Sequence, residues 1–200
     1  MKLNSVVFSL TALLSMACGN SSSHTSGTPV ATTLNTEMSQ ETQTAIFASG
    51  CFWGTEYFLK RQEGVISTTV GYTGGHVDNP TYKQVCTKET GHYEAVMVEF
   101  DPSIVSYEQL TKWFFETHDP TQANGQGPDI GPQYRSAIFV ADDNQRRIAN
   151  DLIGILEAKG MDIATEVKDA VTFWPAELYH QDYYDNKGGT PYCHAYRKLF

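Results

Sequence analysis

A short apolar run, Ala45-Ile46-Phe47-Ala48-Ser49, stops at Gly50, and a helical pattern begins at once: Phe52, Glu56, Tyr57 and Leu59 fall at helical spacings over Cys51 to about Arg61. A β-branched run, Val65 to Val70, follows, so the chain is committed to a β-α-β unit with a sharp glycine turn at its first junction. Tyr93 to Phe100 alternates as a strand and is stopped by Asp101-Pro102; Ser106-Tyr107-Glu108-Gln109 opens a helix reaching Thr117. Ser136 to Ala141 reads as a strand, Asp143 to Lys159 as a helix ended by Gly160, and Ala164 to Phe173 as a last strand. This order predicts an α+β fold, helices packed on a mixed β-sheet, with a split β-α-β (ferredoxin-like) core. A three-layer doubly wound sheet fits poorly, because the segments 71–91 and 118–134 are long for its connections. The first contains Gly74, Gly75 and Pro80, with one helical turn around Tyr82 to Cys86; loops of that length in a compact domain usually carry function.

The 200 residues suffice for one domain and some additional chain, and the apolar content of 40% fills a core. A formal charge of −9 with no cluster of Lys and Arg argues against nucleic-acid binding, which needs a concentrated basic face. Residues 1–17 read as a signal peptide: Lys2, then a mostly apolar stretch from Val6 to Met16 that is shorter than the about 20 residues needed to span a bilayer. It ends at Leu14-Ser15-Met16-Ala17-Cys18, which resembles the lipobox of bacterial lipoproteins, with Ser15 where Leu is usual. That resemblance implies lipidation of Cys18, export to the cell envelope and attachment to a membrane. Residues 18–43, rich in Ser and Thr, read as a flexible tether, and 44–200 as the folded domain.

Four cysteines are present: Cys18, Cys51, Cys86 and Cys193. Lipidation of Cys18 leaves an odd number, and no CxxC pair occurs, so zinc-ribbon and thioredoxin-like readings are disfavoured. His118, His180 and His194 lack ligand spacing; no metal is expected, and His118 and His180 are read as loop-holding residues. Cys51 stands where strand gives way to helix, facing free backbone N–H groups and the positive end of a helix dipole. Both favour a thiolate, the nucleophilic form. Cys86 reads as a small buried hydrophobe.

Gly50-Cys51-Phe52-Trp53-Gly54 resembles the signature of the A-type peptide methionine sulfoxide reductases. The resemblance continues in order through Gly71-Tyr72-Thr73-Gly74-Gly75, Asn79-Pro80-Thr81-Tyr82, Gly91-His92-Tyr93-Glu94-Ala95-Val96, Phe100-Asp101-Pro102, His118-Asp119-Pro120-Thr121-Gln122, the block from Asp129 to Ser136, and Pro175 to Gln181. It implies that Cys51 attacks the sulfur of the S epimer of methionine sulfoxide. Glu94 would supply a proton to the sulfoxide oxygen, Tyr82 and Tyr134 further hydrogen bonds, and Asp129 a hold on the substrate region. Phe52 and Trp53 would cradle the methyl group. It further implies that Cys193, on a Gly/Pro-rich mobile tail, resolves the Cys51 sulfenic acid as a disulfide. A thioredoxin-like partner then reduces that disulfide, and no cofactor is required.

Overall fold

A computed structural model describes residues 41–200; the expected signal peptide, Cys18 and nearly all of the tether lie outside the described residues. The elements run β1 (Gln43–Ser49), α1 (Phe52–Leu59), β2 (Val65–Thr73), α2 (Tyr82–Val85), β3 (Tyr93–Phe100), α3 (Tyr107–Glu116), β4 (Gly125–Gln126), β5 (Asp129–Ile130), β6 (Ser136–Val140), α4 (Asp143–Ala158), β7 (Glu166–Asp169), β8 (Trp174–Pro175) and α5 (Tyr183–Lys187). Six strands form one sheet in the order β7-β6-β1-β3-β2-β8, while β4 and β5 make a separate two-residue ladder. β3 lies between β1 and β2 and is antiparallel to both, so β1-α1-β2 is the split β-α-β unit that the sequence predicts. β6 and β7 pair in parallel, with α4 as the crossover between them.

Alternation along β1 sorts its side chains between two apolar layers. Ala45 and Phe47 face the main core with Val96, Val98, Phe100, Leu110, Phe114, Phe115 and Ile138. Ala48 turns to a smaller cluster of Tyr93, Ala95, Ala137 and Phe139, against which Ile46 and Phe173 pack. The helices α1, α3 and α4 cover the larger layer, with Phe47 stacked on Phe114 at 5.1 Å. α3 starts where the sequence places it because Ser106 and Gln109 cap each other's backbone N–H groups.

Three expectations need correction. The last strand is only Glu166–Asp169, because its flanks bond elsewhere: Ala164 N donates to Pro120 O, and Thr172 O accepts from Thr73 Oγ1. β2 runs on to Thr73, paired with β3 through Tyr93, so the glycine-rich loop starts later than expected. Cys86 is exposed, on the open side of the single turn that α2 makes.

Candidate active site

Gly50 has φ 98°, and a Cβ there would lie 2.4 Å from Cβ of Gln126. Only glycine makes this turn at the end of β1, and it delivers Cys51 as the N-cap of α1. Alternation along β3 puts Glu94 on the same face as Val96 and Val98, at the end of the strand beneath the start of α1. There the Phe52 N–H donates to Glu94 Oε2 at 3.2 Å. A free amide of the helix terminus thus ties the carboxyl beside the cysteine.

Cys51, Phe52, Trp53, Tyr82, Glu94, Asp129, Tyr134 and Tyr192 line one cavity of about 100 Å³. Every expected substrate-side residue is therefore gathered at one point, from segments separated by most of the domain. Three supports hold the walls. Glu177 accepts from Tyr82 N at 2.9 Å and from Tyr72 Oη at 3.0 Å, fixing the loop that carries Tyr82. The Trp53 indole donates to His180 Nδ1 at 3.1 Å and is stacked on Tyr183 of α5 at 3.7 Å. α5 is in turn held to α1 by Lys60 against Asp182 and Asp185, and by Arg61 against Asp185. Gln181 exchanges hydrogen bonds with Val70 N and O on the edge of β2, so Glu177 and Gln181 both act on the walls of the site.

The histidine reading agrees with the structure for two residues. His118 is bonded to Phe114 O at 2.7 Å and Ser136 Oγ at 2.8 Å, and burial lowers its pKa to about 3. His180 holds Trp53 as described.

The protonation state of Cys51, unlike that of Glu94, differs from the sequence expectation. Glu94 is 2% exposed, and burial raises its pKa well above the usual carboxylate range, helped by the neighbouring Cys51 and opposed by the Phe52 N–H. Its surroundings favour the carboxylic acid over the carboxylate. The Cys51 thiol is also pushed up, first by its hydrogen bond to Cys193 and then by burial. The Trp53 N–H pulls the other way, as the helix terminus should, and is outweighed. The resting sulfur is a neutral thiol, not the thiolate that a helix N-terminus alone would favour. Burial raises the Tyr82 and Tyr134 phenols as well, so both remain donors; Tyr82 is additionally hydrogen-bonded to Cys86.

Cys193 is likewise not where its sequence context suggests. It is 6% exposed and hydrogen-bonded to Cys51, with its carbonyl accepting from Gln126 Nε2 at 2.9 Å. The chain beyond it is tied down, since Leu199 N and Phe200 N both donate to the buried Glu116 carboxylate. The glycines at 188 and 189 are exposed, but the cysteine after them is already docked. Two further site residues carry no local sequence signal. Tyr192 closes the cavity with its hydroxyl 3.3 Å from Asp129 Oδ1, and Gln126 clamps both Cys193 and the Asp119 N–H. Asp129 Oδ2 is buried without a hydrogen-bond partner, an acceptor left for an incoming donor.

Residues 43–200 match the family model described as peptide methionine sulfoxide reductase. Among curated proteins, the chain is 48% identical over 152 residues to the peptide methionine sulfoxide reductase MsrA of Sulfolobus acidocaldarius, covering 76% of this chain and 86% of that one. It is 50% identical over 153 residues to MsrA of Pasteurella multocida, covering 76% and 88%. Among solved structures, reduced Mxr1 of Saccharomyces cerevisiae superposes with a TM-score of 0.73 at 33% identity, over 78% of this chain and 93% of that one. Methionine sulfoxide reductase A of Corynebacterium diphtheriae does so with a TM-score of 0.67 at 38% identity, over 76% and 78%. Mxr1 has also been solved in complex with Trx2.

Proposed function

The chain belongs to the A-type peptide methionine sulfoxide reductase family, and from that premise we propose that it reduces the S epimer of methionine sulfoxide at the cavity over Cys51. The observation that carries this reading is the meeting of a cysteine sulfur, a buried carboxyl and two phenols around a space sized for a sulfoxide and its methyl group. A sulfoxide sulfur becomes a good electrophile only when its oxygen is protonated or strongly hydrogen-bonded. Glu94 supplies the proton; Tyr82 and Tyr134 steady the oxygen as charge develops. Phe52 and Trp53 receive the methyl, and Asp129, through its spare oxygen, accepts from the backbone or amine of the substrate. Cys51 takes the oxygen as a sulfenic acid and the thioether leaves, so the sulfoxide is reduced as the thiol is oxidised. Cys193, one hydrogen bond away, converts the sulfenic acid to a disulfide. A thioredoxin-like dithiol is the fitting reductant, as the Trx2 complex of the yeast relative suggests.

The assignment is tested with purified protein and dithiothreitol on the two separated epimers. The S epimer should be consumed and the R epimer left untouched; equal turnover of both would sink it.

We further propose that the protein is an exported, lipid-anchored enzyme of the cell envelope, on the strength of the lipobox-like Leu14 to Cys18. Cys18→Ala should release an unlipidated, soluble protein that retains dithiothreitol-driven activity. Mass spectrometry of the mature N-terminus checks this, and an unmodified N-terminus elsewhere in the native protein would refute it.

A further inference from the structure

His194 is the buried ring that the chemistry above leaves unused. It is 5% exposed and wedged against the first turn of α1, where a Cβ on Gly54 would fall 2.2 Å from its Nδ1. Gly54 therefore makes room for this imidazole, and any side chain at position 54 would displace it. One ring nitrogen, Nε2, lies 2.7 Å from the carbonyl oxygen of Ser49. A carbonyl can only accept, so Nε2 carries the hydrogen, and in the neutral ring Nδ1 holds the lone pair. That lone pair faces Cys193 Sγ at 3.1 Å. The order of donors about the ring is thus fixed: Cys193 S–H to Nδ1, and Nε2–H to Ser49 O.

We propose that His194 is the general base of the resolving step, taking the proton of Cys193 as that sulfur attacks the Cys51 sulfenic acid. The inference rests on the reading of Cys51 and Cys193 as attacking and resolving thiols. In the step, the Cys193 S–H bond breaks and its proton passes to Nδ1. The freed electron pair forms the S–S bond, and the S–O bond of the sulfenic acid breaks with its pair going to oxygen. The departing hydroxide takes a proton back from the imidazolium and leaves as water. Cys193 is oxidised, the Cys51 sulfur is reduced, and no outside reagent enters.

The arrangement answers a difficulty of the site. The thiolate is the species that attacks, so the resolving thiol must give up its proton inside a buried site. A tautomer locked by a backbone carbonyl places an acceptor on that thiol permanently. Burial lowers the pKa of His194 to about 4, with Asp129 drawing it up and His118 packed nearby, so the ring is neutral and ready across the working range.

The test is rapid-quench measurement of the two steps after addition of one equivalent of sulfoxide: methionine release, then loss of free thiol as the disulfide forms. His194→Gln keeps a donor able to reach Ser49 O and removes the base. The second step should slow by about 10²–10³-fold relative to the first, with Cys51 sulfenic acid trapped by a dimedone-type probe. Raising the pH should restore disulfide formation in the variant, since solution base replaces the ring. Native enzyme gives a second readout that does not depend on how the variant folds. Its disulfide-forming rate should be flat from pH 6 to 8, because the neutral ring that takes the proton is present throughout. A native rate that climbs tenfold per pH unit would mean that Cys193 ionises unaided, and would overturn the proposal, as would an unchanged second step in His194→Gln. Cys193→Ser serves as the control: if its sulfenic acid disappears as fast as in the native enzyme, the identity of the resolving thiol has failed, not the role of its base.

Discussion

Cys51→Ser should have no detectable reductase activity with any reductant, whereas Cys193→Ser should release about one methionine per enzyme and then stall with thioredoxin as reductant. A neutral hydroxyl at this position is a far weaker nucleophile than sulfur and cannot carry the oxygen away as a sulfenic acid. Cys193 enters only after methionine has formed, so its removal spares the first turnover and blocks recycling. The hydrogen bond from Cys51 to Cys193 adds a sharper expectation, since it is the largest cause of the raised Cys51 pKa. Cys193→Ala deletes that bond, so the Cys51 thiol should ionise at lower pH and be alkylated faster by iodoacetamide at neutral pH than in the native enzyme. Equal alkylation rates would mean that burial alone holds the proton. Thioredoxin-driven multiple turnover in Cys193→Ser would move the resolving role to Cys86, the other free thiol among the described residues.

Glu94→Gln should lower the first-turnover rate by about 10²–10⁴-fold, the usual range for loss of a positioned general acid, with a much smaller change in substrate affinity. In the native enzyme the acid must be protonated to act, so activity should fall as pH rises through its elevated pKa. The variant should lose that limb. The stability of the native enzyme should fall with rising pH as well. The unfolded carboxyl ionises in the ordinary range, while the folded one holds its proton well above it. The contribution of Glu94 to stability is therefore complete below the unfolded pKa and declines as pH rises toward the folded value, by up to about 1.4 kcal/mol per pH unit. An amide does not titrate, so Glu94→Gln should melt higher than the native enzyme at pH 8, and this advantage should vanish near pH 4. A near-native first turnover at every pH would shift the proton donor to Tyr82 or Tyr134.

Elements whose causes are local in sequence were the ones legible there. β3 over Tyr93–Phe100 follows from its alternation and the Asp101-Pro102 stop, and α3 from the Ser106–Gln109 cap. The short β7 was overestimated because apolar residues from 164 to 173 continue past the point where bonds to Pro120 and Thr73 take over. α5 gave no periodic signal: it is a five-residue turn begun by Asp182 at φ 53° and held by Lys60 and Arg61 from another element. The substrate-side residues were recognised from ordered motifs, not from any local rule. Period-two alternation sorts Glu94 with Val96, yet only pairing with Tyr72 and contact with the Phe52 N–H bring it beneath Cys51. The protonation of Cys51 was misread for the same reason. A helix terminus is visible in sequence; a second thiol arriving from Cys193 is not. The spacing of His194 carries no sign of its role, because its tautomer depends on Ser49 O and its place on the absence of a Cβ at Gly54.

The proton that Cys51 keeps beside Cys193 bears on how a repair catalyst survives among the oxidants whose damage it mends. Peroxides and disulfide reagents react with thiolates and largely ignore thiols. A nucleophile kept permanently ionised would be consumed by whatever oxidant arrived first, and the enzyme would spend its reductant on self-rescue. Here the sulfur stays disarmed in the empty site. On the proposed mechanism a sulfoxide oxygen draws the proton of Glu94, and the carboxylate left behind becomes a base beside Cys51. Arming is thereby tied to arrival of the correct substrate. On that mechanism, the catalyst discriminates between oxidised methionine and free oxidant by timing rather than by shape.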